Sequence, residues 1–217
     1  MGESSRAEVY LVRHAEDQAA AEQRFVDGPL SARGRDQATA LARALARTTF
    51  DACWTSPLLR ARQTAELALE GREVPLIDEP LLAEGALGAL AGLAWARGAE
   101  LHPKHFRIGR SVVARLAASG ETAPGGETRE AFLLRARKVA SLLEQALRVG
   151  SGRTLVISHG GLLNFALQFL IDVRVRDEVP FGFDHCGVVR AVGFREAPDF
   201  GPFAMLRFGL PISAPGA

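Results

Sequence analysis

The chain has 217 residues, 47% hydrophobic and 24% charged, which fits one globular domain with a real core rather than a disulfide-held miniprotein. With 26 Lys and Arg against 25 Asp and Glu, the formal net charge is +1; this balance argues neither for nor against nucleic acid, and no nucleic-acid partner is expected. The two cysteines, Cys53 and Cys186, are too few for a disulfide scaffold, so a reduced, cytoplasmic protein is expected.

The start, MGESSRAE, is polar, shows no signal-peptide core, and has Arg6 where a myristoylation signal takes Ser or Thr. No apolar stretch reaches the roughly 18 residues of a membrane helix, and no membrane partner is expected. AEVYLVRH then reads as a buried strand, apolar and free of Gly and Pro. Residues 31–47 read as an amphipathic helix with Arg dominating its polar face. FDACWTS is a second strand, and SPLLRARQTAELALE a helix with Ser56 as N-cap, Pro57 in its first position and Gly71 closing it. VPLID is a candidate third strand. A helix over 129–149, the buried strand RTLVISHGG, the apolar helix GLLNFALQFLI and the late strands GVVRAVGF and FAMLRF follow. This alternation predicts an α/β fold, a three-layer α/β/α sandwich around a mainly parallel sheet, with residues 1–217 as a single domain. Residues 93–126 break the rhythm and read as a small helical cap or lid, with five Lys or Arg against one Glu between 97 and 115.

In open α/β sheets, ligands bind beyond the carboxyl ends of the strands. Arg13 and His14 follow the first strand, Ser158 and His159 another, and Arg60 sits one turn into the helix after the second. Two guanidiniums and two imidazoles on one rim suit a tetrahedral oxyanion, and the helix beginning at Gly160 adds backbone N–H donors and a partial positive charge. A neutral imidazole is a competent nucleophile near pH 7, and a carboxylic acid of raised pKa can protonate a leaving alkoxide and then activate water. Glu84, in the apolar, glycine-rich LLAEGALGALAG, is the candidate acid.

In this order the segments LVRHAED, GPLSARGRDQATALARAL, TSPLLRARQTAE, LAEGALGALAG, PGGET and VISHGG resemble those of the histidine phosphatase superfamily, the phosphoglycerate mutase-like proteins of branch 1, over about residues 8–195. The resemblance implies His14 as the phosphorylated nucleophile, Arg13, Arg60 and His159 as holders of the phosphoryl oxygens, and Glu84 as proton donor and later base. It implies neither metal nor cofactor, the arginines supplying the charge. Relatives form monomers, dimers and tetramers, so a homodimer is among the assemblies it allows. Ala15 replaces the signature glycine, and Asp17 replaces a common Thr, placing a negative charge that disfavours phosphate unless Asp17 points away or pairs with a cation. Ala20 stands where mutase-type relatives have an Asn that touches phosphate, leaving Gln18 or Gln23 to replace that contact.

The implied activity is a phosphomonoesterase acting on a small anionic phosphorylated metabolite through a phosphohistidine. A cofactor-dependent phosphoglycerate mutase and a non-catalytic phosphate or phosphopeptide binder are the alternatives. Hydrolysis is favoured because LAWARGAELHPKHF stands where the mutases carry a longer, tyrosine-containing insertion, and Tyr10 is the sole tyrosine. Lys104, Arg107 and Arg110 suggest a substrate with extra negative charge; a solvated lid helix accounts for them equally well. Glu127 reads as a helix cap or as a second pocket carboxylate, and His102 with His105 as a solvated face in preference to a metal pair. His185 and Cys186 are assigned no chemistry.

Overall fold

The computed structural model describes residues 6–103, 123–149, 152–175, 181–194 and 205–208. Its centre is a six-stranded sheet formed by β1 (Arg6–Arg13), β2 (Ala52–Thr55), β3 (Leu76–Asp78), β4 (Gly152–Ser158), β5 (Val188–Phe194) and β6 (Met205–Phe208), in the order β3-β2-β4-β1-β5-β6. The first four strands run parallel, whereas β5 and β6 are antiparallel additions at one edge. The mainly parallel sheet predicted from the alternating pattern is therefore present, and both late strands exist.

Side chains alternate across the sheet, so β1 and β4 feed two cores. Val9, Leu11 and Val156 point to one face, where they meet Phe132, Val139 and Leu143 of α5 (Arg129–Val149) and Leu163 and Phe165 of α6 (Gly160–Leu170). Val12, Leu155 and Ile157 point to the other, against Leu41 and Leu45 of α2 (Ala32–Leu45) and the alanines 61, 65 and 68 of α3 (Leu59–Ala68). Those alanines recur at helical spacing and let α3 lie close on the sheet. α6 is apolar almost all round because it is buried almost all round.

A helix begins where its first N–H groups find partners. Ser31 Oγ accepts from Gly34 N at 2.9 Å and starts α2; Thr128 Oγ1 accepts from Ala131 N at 3.1 Å and starts α5. The expected start of α3 at Ser56 is corrected: α3 begins at Leu59 with Leu58 as its cap, although Ser56 Oγ accepts from Leu58 N at 3.2 Å as well as from His159 Nε2 at 2.8 Å. A short helix α1 (Gln18–Ala21), which no periodicity in the sequence announces, forms because Asp17 Oδ1 accepts from Ala20 N at 2.6 Å.

A small third core of Phe25, Leu90 and Ala123, joined by Leu87, Leu93 and Trp95, lies under the first part of the 93–126 segment, where α4 (Trp95–Leu101) sits. Phe25 N donates to Leu93 O and Trp95 N to Gln23 O, tying that segment to the loop after β1. Lys104, His105, Arg107 and Arg110 lie outside the described residues. No described helix is long and apolar enough to cross a membrane. Both cysteines are buried and unbridged.

Candidate active site

Strand register fixes what can meet at the carboxyl end of the sheet. Arg13 of β1 stands opposite Ser158 of β4, and Thr55 of β2 opposite Ile157. The next residues along the three strands, His14, His159 and Ser56, are thus neighbours before any side chain is placed. His14 N extends the ladder by donating to Ser158 O at 2.8 Å, and Ser56 N to Ile157 O at 2.9 Å. The His14 and His159 rings lie 4.9 Å apart.

Guanidinium groups have no acceptor, and this settles the tautomers of three histidines. Arg60 Nε lies 3.2 Å from His14 Nε2, which must accept; the ring proton is then on Nδ1, 2.7 Å from Ala15 O. Arg60 Nη2 lies 3.2 Å from His159 Nδ1, so His159 carries its proton on Nε2 and donates to Ser56 Oγ at 2.8 Å. Arg13 Nη2 lies 2.9 Å from His185 Nε2, and Arg13 Nη1 donates to Phe183 O at 2.8 Å. Burial first, then the neighbouring His159, Arg60 and Arg13, holds His14 well below the ordinary histidine pKa. Burial, then Arg60 and Arg13, does the same to His159, and burial, then Arg13, lowers His185 to about 3. Three neutral imidazoles therefore stand at this end of the sheet, and the described cations that line the cavity are Arg13, Arg24 and Arg60.

The backbone holds His14 in turn. Ala15 N donates to the buried Thr64 Oγ1 at 3.0 Å, while Thr64 donates to Arg60 O at 2.6 Å. The loop then presses against α2: a Cβ on Gly34 would stand 1.9 Å from Glu16 O, so only glycine fits there. Gly160 is small for a related reason, since its Cβ would sit 3.3 Å from Arg13 Cδ as that side chain passes over it.

Arg60 is held between two carboxylates. Its Nε is 3.3 Å from Asp17 Oδ2, and its Nη1 donates to Asp27 Oδ1 at 3.0 Å. Asp17 is 5% exposed and faces the same cavity; burial raises its pKa, outweighing the Ala20 N–H and Arg60. Of the two ways left open for Asp17, pointing away or pairing with a cation, the second is the one observed, and the cation is Arg60, a residue assigned to phosphate. Gln18 and Gln23 are exposed and lie outside the set of described residues that line the cavity, so neither stands in for the Asn that mutase-type relatives carry at the position of Ala20.

Glu84 approaches from the loop after β3. Its Oε1 accepts from Gly85 N at 3.0 Å and its Oε2 from Gly161 N, at the start of α6, at 3.2 Å. Burial raises its pKa; the two amides, Arg60 and Arg135 pull the other way. Glu127 does not enter the pocket as a second acid. Its carboxylate takes two bonds from Arg135, at 2.9 and 2.6 Å, and Arg135 Nη1 reaches the carbonyls of Leu81 and Ala83, gripping the segment that carries Glu84.

Arg13, His14, Asp17, Arg60, Glu84 and His185 line one cavity of about 160 Å³. All six expected residues, His14, Glu84, His159, Arg13, Arg60 and Gly160, are brought to this end of the sheet. Reading the sequence missed Ser56, Thr64, Arg135, Asp27 and His185. Ser56 and Thr64 sit inside a recognisable motif but have the composition of helix residues; Arg135 and His185 carry no local signal. His185, to which the sequence assigned no chemistry, contacts Arg13 and lies 5.5 Å ring to ring from His14. Among the described residues no group of three or more His, Cys, Asp or Glu could hold a metal ion, and His105 lies outside them.

The family description that matches this chain is the histidine phosphatase superfamily (branch 1), over residues 9–200. A metal-independent phosphoserine phosphatase of Arabidopsis thaliana is 34% identical over 167 residues, 74% of this chain and 67% of that protein. A 2,3-bisphosphoglycerate-dependent phosphoglycerate mutase of Methylobacterium radiotolerans is 32% identical over 184 residues, 78% of this chain and 81% of that protein. The solved alpha-ribazole phosphatase of Shigella flexneri superposes with a TM-score of 0.76 at 23% identity, covering 95% of this chain and 96% of that one, a likeness of fold.

Proposed function

The chain belongs to the histidine phosphatase superfamily, branch 1, a family of phosphatases and mutase-like phosphoryl-transfer enzymes, and we propose that it hydrolyses a small phosphorylated metabolite through a phosphohistidine. The observation that carries this reading is the tautomer of His14: with Nδ1–H tied to Ala15 O, the nucleophilic lone pair sits on Nε2, facing the cavity and Arg60.

On this reading a phosphomonoester enters with its oxygens between Arg13 and Arg60. Arg60 Nε turns its N–H from His14 Nε2 to a phosphoryl oxygen, freeing the lone pair. Nε2 attacks phosphorus as the ester P–O bond breaks. The leaving oxygen takes its proton from Glu84, whose pKa burial raises. Glu84, now a carboxylate, takes a proton from water, whose oxygen attacks phosphorus; the P–N bond breaks and inorganic phosphate leaves. The arginines neutralise the equatorial oxygens throughout, which supports a metal-independent reaction.

Hydrolysis of p-nitrophenyl phosphate with EDTA present, by the native chain and His14→Ala, tests the route. We expect activity in the first, none in the second, and an acid-labile, base-stable phosphoprotein in the first alone. Strong inhibition by EDTA would overturn metal independence. Glu84→Gln should slow alkyl phosphates about a hundredfold more than p-nitrophenyl phosphate, whose leaving group needs little protonation; an equal loss would remove Glu84 as the acid. The mutase among the relatives supports a second reading, in which a hydroxyl replaces water as acceptor. Isomer analysis after incubation with a phosphoglycerate separates the two.

A further inference from the structure

Beside the phosphate cavity lies a larger one of about 540 Å³ that shares Phe25, Val26, Leu87, Arg60 and Glu84 with it. A volume of this size accommodates a whole small-molecule fragment. Its walls are apolar: Phe25, Val26 and Leu58 on one side, Ala86, Leu87 and Ala91 on the other. Three charged residues reach it among those described. Arg60 is occupied by Asp27 through Nη1, Asp27 also accepts from Leu59 N at 2.9 Å, and Glu84 stands at the junction of the two cavities. A second phosphate or carboxylate placed here would meet two carboxylates; Arg24, a lining residue of the phosphate cavity, reaches only the rim, where it donates to Gly92 O at 3.1 Å. An alkyl or aryl body would meet carbon.

We propose that this trough holds the alcohol part of the substrate, and that the preferred substrates are phosphomonoesters of uncharged, apolar alcohols. The inference rests on the phosphomonoesterase reading for what the phosphate cavity binds. The position of Glu84 fits it: the carboxyl group sits where a body in the trough joins a phosphoryl group in the cavity, at the oxygen that must be protonated. The trough is also continuous with the small core of Phe25, Leu87 and Leu90, so its walls are backed by packed side chains.

Non-hydrolysable alkylphosphonates isolate the trough from turnover. Their head group keeps its charge while the tail lengthens, so affinity reports the apolar contact alone. From methyl- to pentylphosphonate, calorimetry should show Kd falling about three- to fourfold for each added CH2. A carboxylate at the end of the pentyl chain should weaken binding at least tenfold. Ala86→Glu, at an exposed wall position outside the catalytic set, should flatten the chain-length series. A flat series in the native protein, or tighter binding of the carboxylated tail, would overturn the proposal. Failure of the phosphatase reading shows differently: phosphonates would bind with the expected slope while methyl, pentyl and p-nitrophenyl phosphate all go unhydrolysed.

Discussion

Asp17 is the feature of the site that most directly opposes its use. Two steps, 3.3 Å from Asp17 Oδ2 to Arg60 Nε and 3.2 Å from there to His14 Nε2, put its carboxylate within about 6.5 Å of the nucleophile. At about 6 Å and an effective dielectric of about 20, a unit negative charge repels another by about 3 kcal/mol. Arg13 and Arg60 screen part of this, so roughly half is expected to survive as binding free energy, a factor of about ten. Asp17→Asn removes the charge and keeps the cap, since Asn also accepts from the Ala20 N–H. The variant should therefore bind inorganic phosphate about tenfold more tightly at pH 7.5, read as a competitive inhibition constant. The gain should shrink as pH falls. Asp17 has a raised pKa, a bound anion raises it further, and the native protein then neutralises Asp17 by protonation as the variant does by substitution. Comparing both proteins at each pH cancels the titration of phosphate itself. Weaker phosphate binding by Asp17→Asn would refute the argument and make Asp17 a positioning group for Arg60 instead.

Other consequences follow from the same contacts. Ser56→Ala leaves the buried Nε2–H of His159 without its acceptor; we expect a loss of about 1–3 kcal/mol in stability and a roughly tenfold lower kcat/KM, measured by denaturant titration and p-nitrophenyl phosphate turnover. Arg135→Met releases the carbonyls of Leu81 and Ala83 and leaves Glu127 unpaired, costing about 3 kcal/mol; because Glu84 loses its support, alkyl phosphates should slow more than p-nitrophenyl phosphate, and equal slowing would count against the positioning role. His185, lowered from 6.5 to about 3 in the folded protein, binds its proton only in the unfolded chain between those values. Its contribution to stability is complete above about pH 6.5 and falls with pH below it by up to about 1.4 kcal/mol per unit, so His185→Gln should lose less Tm than the native chain between pH 7.5 and 5.

By itself the sequence determined the periodic elements and the identity of the reacting side chains. β1, β4, α2, α5 and α6 were legible because hydrophobic spacing encodes which faces are buried, and burial is what folds them. His14, Arg13, Arg60 and His159 were legible because they sit directly after strands or in a dense motif, and chain order alone places strand tips on one rim. The start of α3 was not: Ser56 Oγ accepts from Leu58 N as an N-cap's does, yet it also serves His159, 103 residues away, and the helix begins only at Leu59. A local rule cannot see a partner at that separation. Tautomers were likewise beyond the sequence, since each depends on an arginine delivered by another element. The clamp of Asp17 and Asp27 on Arg60, the hold of Arg135 on the Glu84 loop and the apolar trough all join segments distant in the chain. Only the register of β1 against β4, and the packing of the loops above it, brings those groups within hydrogen-bonding distance.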